Sequence, residues 1–193
     1  SQGADRLADR WVELLGELLE PKAIVFRNDP RVRELEGLPQ KIDVVRGDVP
    51  PTIDVEIDEV SYGVDLLAGQ KTGLFLDQRE NRLAARRYAH GRPLDVFAYH
   101  GAFALTLAPA CDSVEAVEIS SEAGQALADN ARRNGVRVQV HTENAFDFLR
   151  ARDDENARYE TIVLDPPAFA KNKRSVEGAL AGYKEINLRA MKL

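Results

Sequence analysis

Apolar positions follow two different patterns along the chain, and the pattern changes near residue 70. Between Leu7 and Leu19, apolar residues recur at spacings of three and four, which predicts an amphipathic helix that Pro21 ends. Apolar and acidic residues alternate over 53–57, which is typical of a half-buried strand. The other elements predicted here are strands at 22–27, 41–46 and 60–67 and a short helix at 30–38. Residues 1–70 are therefore predicted to form a small α+β module.

After residue 71 the pattern becomes a regular alternation of helices and strands. Helices are predicted at 77–87, 102–107, 121–134 and 145–150, and strands at 94–98, 113–119, 136–141 and 160–164. Asp77 is expected to cap the first of these helices. Strands that alternate with helices of this length imply right-handed crossovers and a parallel sheet, so residues 71–193 are predicted to be a Rossmann-like α/β domain.

Composition narrows the class of protein. The chain has 193 residues, of which 44% are hydrophobic, enough for one domain or for one domain with a smaller partner. Its single cysteine, Cys111, excludes an internal disulfide and fits a reducing compartment. No apolar run approaches membrane-spanning length and no leader opens the chain, so we expect a cytoplasmic protein with no membrane partner. The net charge of −6 argues against broad, non-specific binding of nucleic acid, but it is compatible with a local basic patch.

The first candidate for chemistry is Asp165, which follows the apolar run 159–164 and precedes Pro166 and Pro167. Proline fixes φ and cannot continue a sheet ladder, so the two prolines would hold the carboxylate at a rigid corner. In open α/β sheets, ligands bind beyond the carboxyl ends of the strands. Asp165 is therefore predicted to face a ligand, although an ordinary loop would also explain an Asp-Pro pair.

The turn after the strand 94–98 indicates which cofactor suits this sheet. It contains a single glycine, Gly101, where a dinucleotide-binding fold has Gly-x-Gly-x-x-Gly, so an NAD enzyme is disfavoured. A cofactor without phosphate needs only one such glycine and a carboxylate for its ribose hydroxyls. Glu118 lies at the usual distance along the chain for that carboxylate, and its alternative interpretation is a surface acid at a strand end. S-adenosylmethionine is the cofactor that this pattern favours.

Asn144 follows the third strand of the series and has two interpretations. Its side-chain amide could meet the adenine amino group of the cofactor, with Phe146 beside the ring. It could equally cap the helix that starts at Ala145, because asparagine is a favourable N-cap. The two roles do not exclude one another.

Four segments in a fixed order carry a family resemblance. They are Thr72-Gly73-Leu74-Phe75-Leu76-Asp77-Gln78-Arg79-Glu80-Asn81-Arg82, the Tyr99-x-Gly101-x-Phe103 turn, Asp165-Pro166-Pro167-Ala168-Phe169-Ala170-Lys171 and Gly182-Tyr183-Lys184-Glu185-Ile186-Asn187. Together they resemble the RlmI-type methyltransferases, class I S-adenosylmethionine-dependent enzymes that methylate carbon 5 of a cytosine in large-subunit ribosomal RNA. The resemblance covers about residues 40–193. It implies a class I methyltransferase sheet, with the module at 1–70 as an RNA-positioning domain.

The resemblance also implies roles for individual residues. Phe75, Gln78 and Arg79 would line the methionine end of the cofactor. Glu118 would hold the ribose, and Asn144 would reach the adenine. The full set expected to bind the cofactor is Phe75, Gln78, Arg79, Phe97, Tyr99, Gly101, Phe103, Glu118, Ile119, Asn144, Ala145 and Asp165. Asp165 would also be catalytic, and the substrate would meet Pro166, Phe169, Lys171, Lys173 and Arg174.

The sequence departs from this family in two ways. Ala102 replaces a second glycine, and the small intrusion of a methyl group is expected to leave cofactor binding intact. More importantly, the family has a cysteine nucleophile in a Cys-Ser-type motif after further strands, and no such cysteine follows here. A thiolate must add to carbon 6 of cytosine before carbon 5 can accept a methyl group. Since Cys111 is expected to be a structural thiol, we expect a fragment that lacks the nucleophile and the last strands. Alone, it is expected to bind the cofactor weakly at best and to transfer no methyl group to carbon.

Two alternative functions are compatible with the same residues. The Asp165-Pro166-Pro167 motif could serve methylation of an exocyclic amine, which needs no cysteine but requires Phe169 to stack on the base. The fold could also act as a non-catalytic nucleic-acid-binding scaffold. RNA is the expected partner in each case, with a homodimer also considered.

Basic residues occur in two groups. Arg79, Arg82, Arg86 and Arg87 share one helix and could contact phosphates, although a solvated helix face is the commoner explanation. The group at Lys171, Lys173 and Arg174 adjoins the Asp165 corner, which favours RNA contact there. The histidines at 90, 100 and 141 show no metal-ligand spacing, so no metal site is predicted.

Overall fold

The computed structural model describes residues 2–68, 74–170 and 175–193. The predicted substrate residues Lys171, Lys173 and Arg174 lie outside the described residues. The described helices are α1 (Gln2–Arg6), α2 (Ala8–Leu19), α3 (Val32–Leu35), α4 (Arg79–Arg86), α5 (Ala102–Leu107), α6 (Ser121–Arg133), α7 (Ala145–Asp154) and α8 (Val176–Ala190). The described strands are β1 (Ala23–Asn28), β2 (Lys41–Gly47), β3 (Ile53–Ile57), β4 (Val60–Val64), β5 (Pro93–Val96), β6 (Val114–Glu118), β7 (Val138–Thr142) and β8 (Thr161–Leu164).

Contacts divide the chain into two compact units, one of residues 1–55 and 64–74 and one of residues 56–63 and 75–193. In the first unit, β1 and β2 pair antiparallel with a register shift between Ile24 and Val25. Its most buried charge is Arg33, whose guanidinium donates to Asp5 Oδ1 at 2.8 Å and to the Pro39 carbonyl at 3.0 Å. These partners compensate for removing the guanidinium from water.

The second unit is built on a parallel four-stranded sheet in the order β7-β6-β5-β8. Alternation along the strands sends side chains to two separate cores, since Leu94 and Val96 of β5 pack with α7 and α8, and Val114 and Ala116 of β6 pack beside α5 and α6. Helices therefore cover both faces of the sheet. This arrangement confirms the predicted Rossmann-like α/β class.

One local prediction was wrong, and one helix was not predicted. Asp77 does not cap α4, because a 3-10 turn over Leu76–Gln78 precedes the helix and its N-cap residue, Gln78, makes no side-chain capping bond. The helix α8 was not predicted from its apolar pattern. Only Ala179 and Ile186 of this helix are buried, while Leu180 and Leu188 are exposed, so no apolar stripe marks its buried face.

The hairpin of β3 and β4 turns through Asp58 and Glu59, whose φ angles of 51° and 69° are those of a two-residue primed turn. Within the second unit, side-chain amides of α6 and the residue after it bond the backbone of β4. Asn130 Oδ1 accepts from the Gly63 N–H at 2.8 Å, and Asn134 bonds both the N–H and the carbonyl of Ser61. These side chains therefore act as an edge strand would for this part of β4.

Candidate cofactor and substrate site

The carboxyl ends of three neighbouring strands meet at one edge of the parallel sheet. Val96 of β5 is level with Val117 of β6 and with Leu164 of β8, so the turns that follow these strands start side by side. The same edge includes the end of β7, because Thr142 is level with Glu118. This is the edge at which open α/β sheets bind ligands.

The turn after β5 follows an unusual backbone path. Phe97 and Tyr99 have positive φ angles of 68° and 49°, a conformation that costs energy for residues with a side chain. The Phe97 and Ala98 N–H groups both donate to the Val117 carbonyl at 3.0 Å, which ties the turn to β6.

Gly101 closes this turn with a φ of 82° at the N-terminus of α5. A Cβ atom at this position would lie 2.5 Å from Leu127 Cγ, so a larger residue would clash with α6. The glycine predicted for close approach to a cofactor is thus required by helix packing in its own right. Its contact with the cofactor stays a prediction.

Glu118 is more than a surface acid at a strand end. Its Oε2 accepts from the Tyr99 N–H at 2.8 Å, and its Oε1 accepts from the Ser120 N–H at 2.9 Å. Because each carboxylate oxygen can accept more than one hydrogen bond, capacity for two ribose hydroxyls remains. The two backbone bonds therefore hold an oriented acceptor at the expected place. Ile119, beside it, is 68% exposed, which leaves an apolar side chain open to contact.

Asp95 lies beneath this turn and was not predicted as a site residue. Its side chain is buried, and its Oδ2 accepts from the Ala104 N–H of α5 at 2.9 Å. Burial raises the pKa of Asp95 to about 7, and the charges of Asp165 and Glu118 act in the same direction. The sequence did contain a signal for Asp95: it is an acidic residue inside an otherwise apolar strand, just before the turn that contains Gly101.

Phe75, which comes just before the 3-10 turn, contacts an aromatic side chain of the turn after β5. Phe75 meets the edge of the Tyr99 ring with centroids 5.6 Å apart, and Tyr99 stacks on His100 at 3.8 Å. The Phe75 carbonyl accepts from Arg82 at 2.9 Å. Arg82 is therefore buried, and its guanidinium is bonded to the backbone within the same unit.

The arginines of α4 bind the hairpin turn of the same unit. Arg79 donates to Asp58 Oδ1 through Nε at 3.0 Å, and this carboxylate raises the pKa of Arg79. Arg86 lies 3.7 Å from Glu59 across the same turn. Arg79 and Arg86 are therefore paired with acidic side chains of the hairpin turn, and phosphate contact by the arginines of this helix stays a prediction. The role of Arg79 at the cofactor is left as a prediction.

Asn144 adopts its capping role. Its Oδ1 accepts from the Phe146 N–H at 2.9 Å at the start of α7. The side-chain Nδ2 group is the part that could reach an adenine ring, and this contact stays a prediction. Ala145, the next residue, is buried in the core.

Asp165 directly follows β8, and its N–H donates to the Val96 carbonyl at 3.5 Å. Partial burial raises the pKa of Asp165, and the nearby charge of Asp77 adds to the effect. The aromatic residue four positions later, Phe169, is not presented to solvent as an open ring face. It packs against Phe97, Phe146 and Tyr183, with the Tyr183 centroid 4.5 Å away.

Cys111 lies apart from this edge and packs beside the core of α5 and α6. Burial raises the pKa of its thiol, with the charge of Asp112 acting in the same direction. A raised pKa disfavours the thiolate, so this thiol is a poor nucleophile.

In the part of the chain that the structure describes, no group of three potential ligands could hold a metal ion, and no helix is long and apolar enough to cross a membrane.

Comparison with known proteins gives the family. A model of the S-adenosylmethionine-dependent methyltransferases matches residues 39–190. The chain is 40% identical to the ribosomal RNA large subunit methyltransferase I of Shewanella denitrificans, over 99% of this chain and 50% of that protein. Identity to the protein of the same name from Erwinia tasmaniensis is 38%, over 100% of this chain and 50% of that protein. The chain thus spans about half the length of these curated relatives.

Solved structures agree on the fold. The structure of SMU.776, assigned as a methyltransferase and complexed with SAH, has a TM-score of 0.80 at 21% identity, over 98% of this chain and 49% of that one. A protein of Streptococcus mutans assigned as an S-adenosylmethionine-dependent methyltransferase has a TM-score of 0.74 at 17% identity, over 98% of this chain and 56% of that one. The chain therefore belongs to the S-adenosylmethionine-dependent methyltransferase family, as the match over most of its length shows.

Proposed function

We propose that this chain is the part of an RNA methyltransferase that binds S-adenosylmethionine and presents Asp165 to a base of large-subunit ribosomal RNA. The observation that carries the proposal is the shared sheet edge, where the oriented Glu118 carboxylate ends β6 and the Asp165 corner follows β8, two strands that flank β5 and end level with it. The names of the curated relatives support ribosomal RNA as the substrate. An RNA substrate of this kind supports the cytoplasm as the place of action.

We assign described residues to successive parts of the cofactor. Glu118 would accept the ribose hydroxyls, because its orientation is already fixed by Tyr99 and Ser120. The turn after β5 would pass beneath the cofactor, and Asn144 would offer Nδ2 to the adenine end. When bound, the cofactor supplies an electrophilic methyl group. The chain's own contribution is to bind and orient it and to hold Asp165 beside the acceptor base.

We further propose carbon 5 of a cytosine as the acceptor, following the resemblance to the RlmI-type enzymes. This chemistry needs a thiolate that adds to carbon 6, and the partly buried Cys111, whose thiol has a raised pKa, does not suit that role. We propose that the thiol comes from sequence outside these 193 residues. The amine-methylating alternative is disfavoured, because it needs Phe169 to stack on the base and that ring packs against Tyr183.

Cofactor binding is tested by calorimetry on this chain with S-adenosylmethionine and with SAH. Glu118→Gln removes the charge that favours two hydroxyl donors, so we expect affinity to fall by at least about tenfold, since a hydrogen bond to a charged group contributes roughly 1.5–3 kcal/mol. Glu122→Gln is the matched control, because Glu122 is exposed in the first turn of α6 and the charge change is the same. Equal affinity for both variants would contradict the assignment of Glu118.

Methyl transfer is tested on the full-length protein with large-subunit ribosomal RNA as substrate. Detection of 5-methylcytosine in the digested RNA would support the proposed acceptor. An N-methylated base would instead support the amine chemistry. Absence of any methylated base, with cofactor bound, would favour the scaffold.

A further inference from the structure

The segment of residues 165–169, called here the corner segment, is held at both ends. At its start, the Asp165 N–H is bonded to the Val96 carbonyl of β5. Pro166 and Pro167 restrict the φ angles of the next two residues. Phe169 closes the segment inside an aromatic cluster, where its ring centroid lies 6.2 Å from that of Phe97 and 5.7 Å from that of Phe146.

Tyr183 of α8 contacts the corner segment through both its ring and its hydroxyl group. The ring lies on Phe169 at a centroid distance of 4.5 Å and an angle of 32°. The hydroxyl accepts from the Phe169 N–H at 3.3 Å and donates to the Pro167 carbonyl at 3.4 Å. One hydroxyl thus joins two backbone groups that flank Ala168.

The backbone of α8 is shaped to bring the two rings together. A Cβ atom at Gly182 would lie 3.3 Å from the Phe169 ring and 3.6 Å from Phe146, so the absence of a side chain lets Phe169 lie against the helix. The helix itself is fixed to the domain. Ile186 is fully buried, and Arg189 bonds Asp153 of α7 at 3.1 Å.

We propose that Tyr183 is a positioning residue for the reaction, which holds the corner segment so that Asp165 is presented to the acceptor base. The inference rests on the proposed methyltransferase function and adds a residue to its machinery. Phe169 is then an anchor for the segment and leaves recognition of the base to other groups. Tyr183 acts through the backbone of the segment and does not itself touch the reacting atoms.

Tyr183→Phe tests this inference, because it removes the hydroxyl bridge and keeps the ring contact with Phe169. We expect the Phe169 amide to exchange with solvent about fivefold faster, as expected for loss of one hydrogen bond of roughly 1 kcal/mol. In the full-length enzyme we expect kcat to fall about tenfold, with the KM for RNA and the affinity for SAH changed by less than about twofold. Tyr88→Phe is the matched control, because Tyr88 is 76% exposed.

A purely structural role for Tyr183 would lower the thermal stability and the affinity for SAH together with kcat. That pattern would overturn the inference, and so would an unchanged kcat or an unchanged exchange rate at Phe169. A second variant, Gly182→Ala, displaces the Phe169 ring while keeping the hydroxyl, and it is also expected to lower kcat. If the unmodified enzyme methylates no RNA, the proposed function fails, whereas the exchange rate at Phe169 still decides whether Tyr183 holds the segment.

Discussion

At the scale of single residues, Asp95 is the group whose charge depends most on the fold. Its carboxyl group is buried under the turn after β5 and has one described hydrogen-bond donor, the Ala104 N–H. Burial removes water from the carboxylate, and the charges of Glu118 and Asp165 make ionisation still less favourable, so the pKa rises to about 7. The protonation of Asp95 is therefore coupled to the two acids predicted to bind ligands.

This coupling predicts a pH dependence of stability. The unfolded chain loses the Asp95 proton near its ordinary pKa of 3.8, whereas the folded chain keeps it until about pH 7. The folded state binds more protons between these values, so the free energy of unfolding falls as pH rises through this window, by up to about 4 kcal/mol. Asp95→Asn keeps an oxygen acceptor for Ala104 and should remove this contribution.

The measurement is the difference in unfolding free energy between the original chain and the Asp95→Asn variant, taken from urea titrations at several pH values. We expect the variant to gain relative stability as pH rises from about 4 to about 7 and the difference to level off above that range. Asp112→Asn serves as the control, since Asp112 is exposed. A difference that does not change with pH would contradict the raised pKa.

The residue scale also shows what the sequence can and cannot predict about a site. The place of Glu118 at the end of a strand was predicted correctly, because a strand end is a local property of the sequence, and its role at the cofactor stays a prediction. The packing role of Gly101 was missed, since it depends on Leu127, which approaches only after α6 has folded back. The same holds for Phe169, whose partner Tyr183 comes from a helix that the apolar pattern did not predict.

At the scale of elements, the turn end of the hairpin of β3 and β4, residues 56–63, depends on side chains from elsewhere in the second unit. Asn130 is buried, and its Oδ1 is an acceptor for the Gly63 N–H, while its Nδ2 donates to the His100 carbonyl at 3.4 Å. A buried N–H group that loses its acceptor is costly. The hairpin should therefore be sensitive to changes in α6.

Asn130→Ala is expected to lower the free energy of unfolding by about 2–3 kcal/mol, because the Gly63 N–H loses its acceptor and a small cavity forms. Hydrogen exchange at Gly63 should become faster in the same variant. Gln125→Ala, on an exposed position of the same helix, is the control and should change stability by less than about 0.5 kcal/mol. Equal effects of the two substitutions would contradict a specific role for Asn130.

The strands of the parallel sheet were well predicted, whereas the helix boundaries were predicted less well. β5 and β8 are short, mainly apolar runs, and β6 and β7 mix apolar with polar residues, each strand being bounded by turn residues. This signal does not depend on distant contacts. The start of α4 was misplaced at Asp77 because a 3-10 turn has a capping-like sequence without the capping bond. Local sequence does not separate these two cases.

At the scale of the whole molecule, the charge distribution matters for RNA. The chain carries a net charge of −6, and the arginines Arg79 and Arg86 of α4 are engaged by Asp58 and Glu59. These pairs leave the group at Lys171, Lys173 and Arg174 as the basic residues that we favour for RNA contact. Their role is argued from the sequence, since they adjoin the Asp165 corner.

Replacing Lys171, Lys173 and Arg174 with alanine in the full-length protein should weaken RNA binding and reduce its salt dependence. Each lost phosphate contact lowers the slope of log affinity against log salt by roughly 0.7–0.9, so we expect the loss of three contacts to reduce the slope by about 2–3. Binding is measured at several salt concentrations. The control replaces Arg132 and Arg133 at the end of α6, and the same change of slope in both variants would argue against a specific basic group.

The bonds from Glu118 to the Tyr99 and Ser120 backbone have a consequence for repeated turnover. They are made within the protein, so they do not depend on a bound molecule. When a spent cofactor leaves, the carboxylate that we propose as the acceptor for its ribose should stay where it was, and the turn after β5 should stay tied to β6. We therefore expect exchange of used for fresh cofactor to require no rebuilding of this edge, and the pace of the cycle to be set elsewhere.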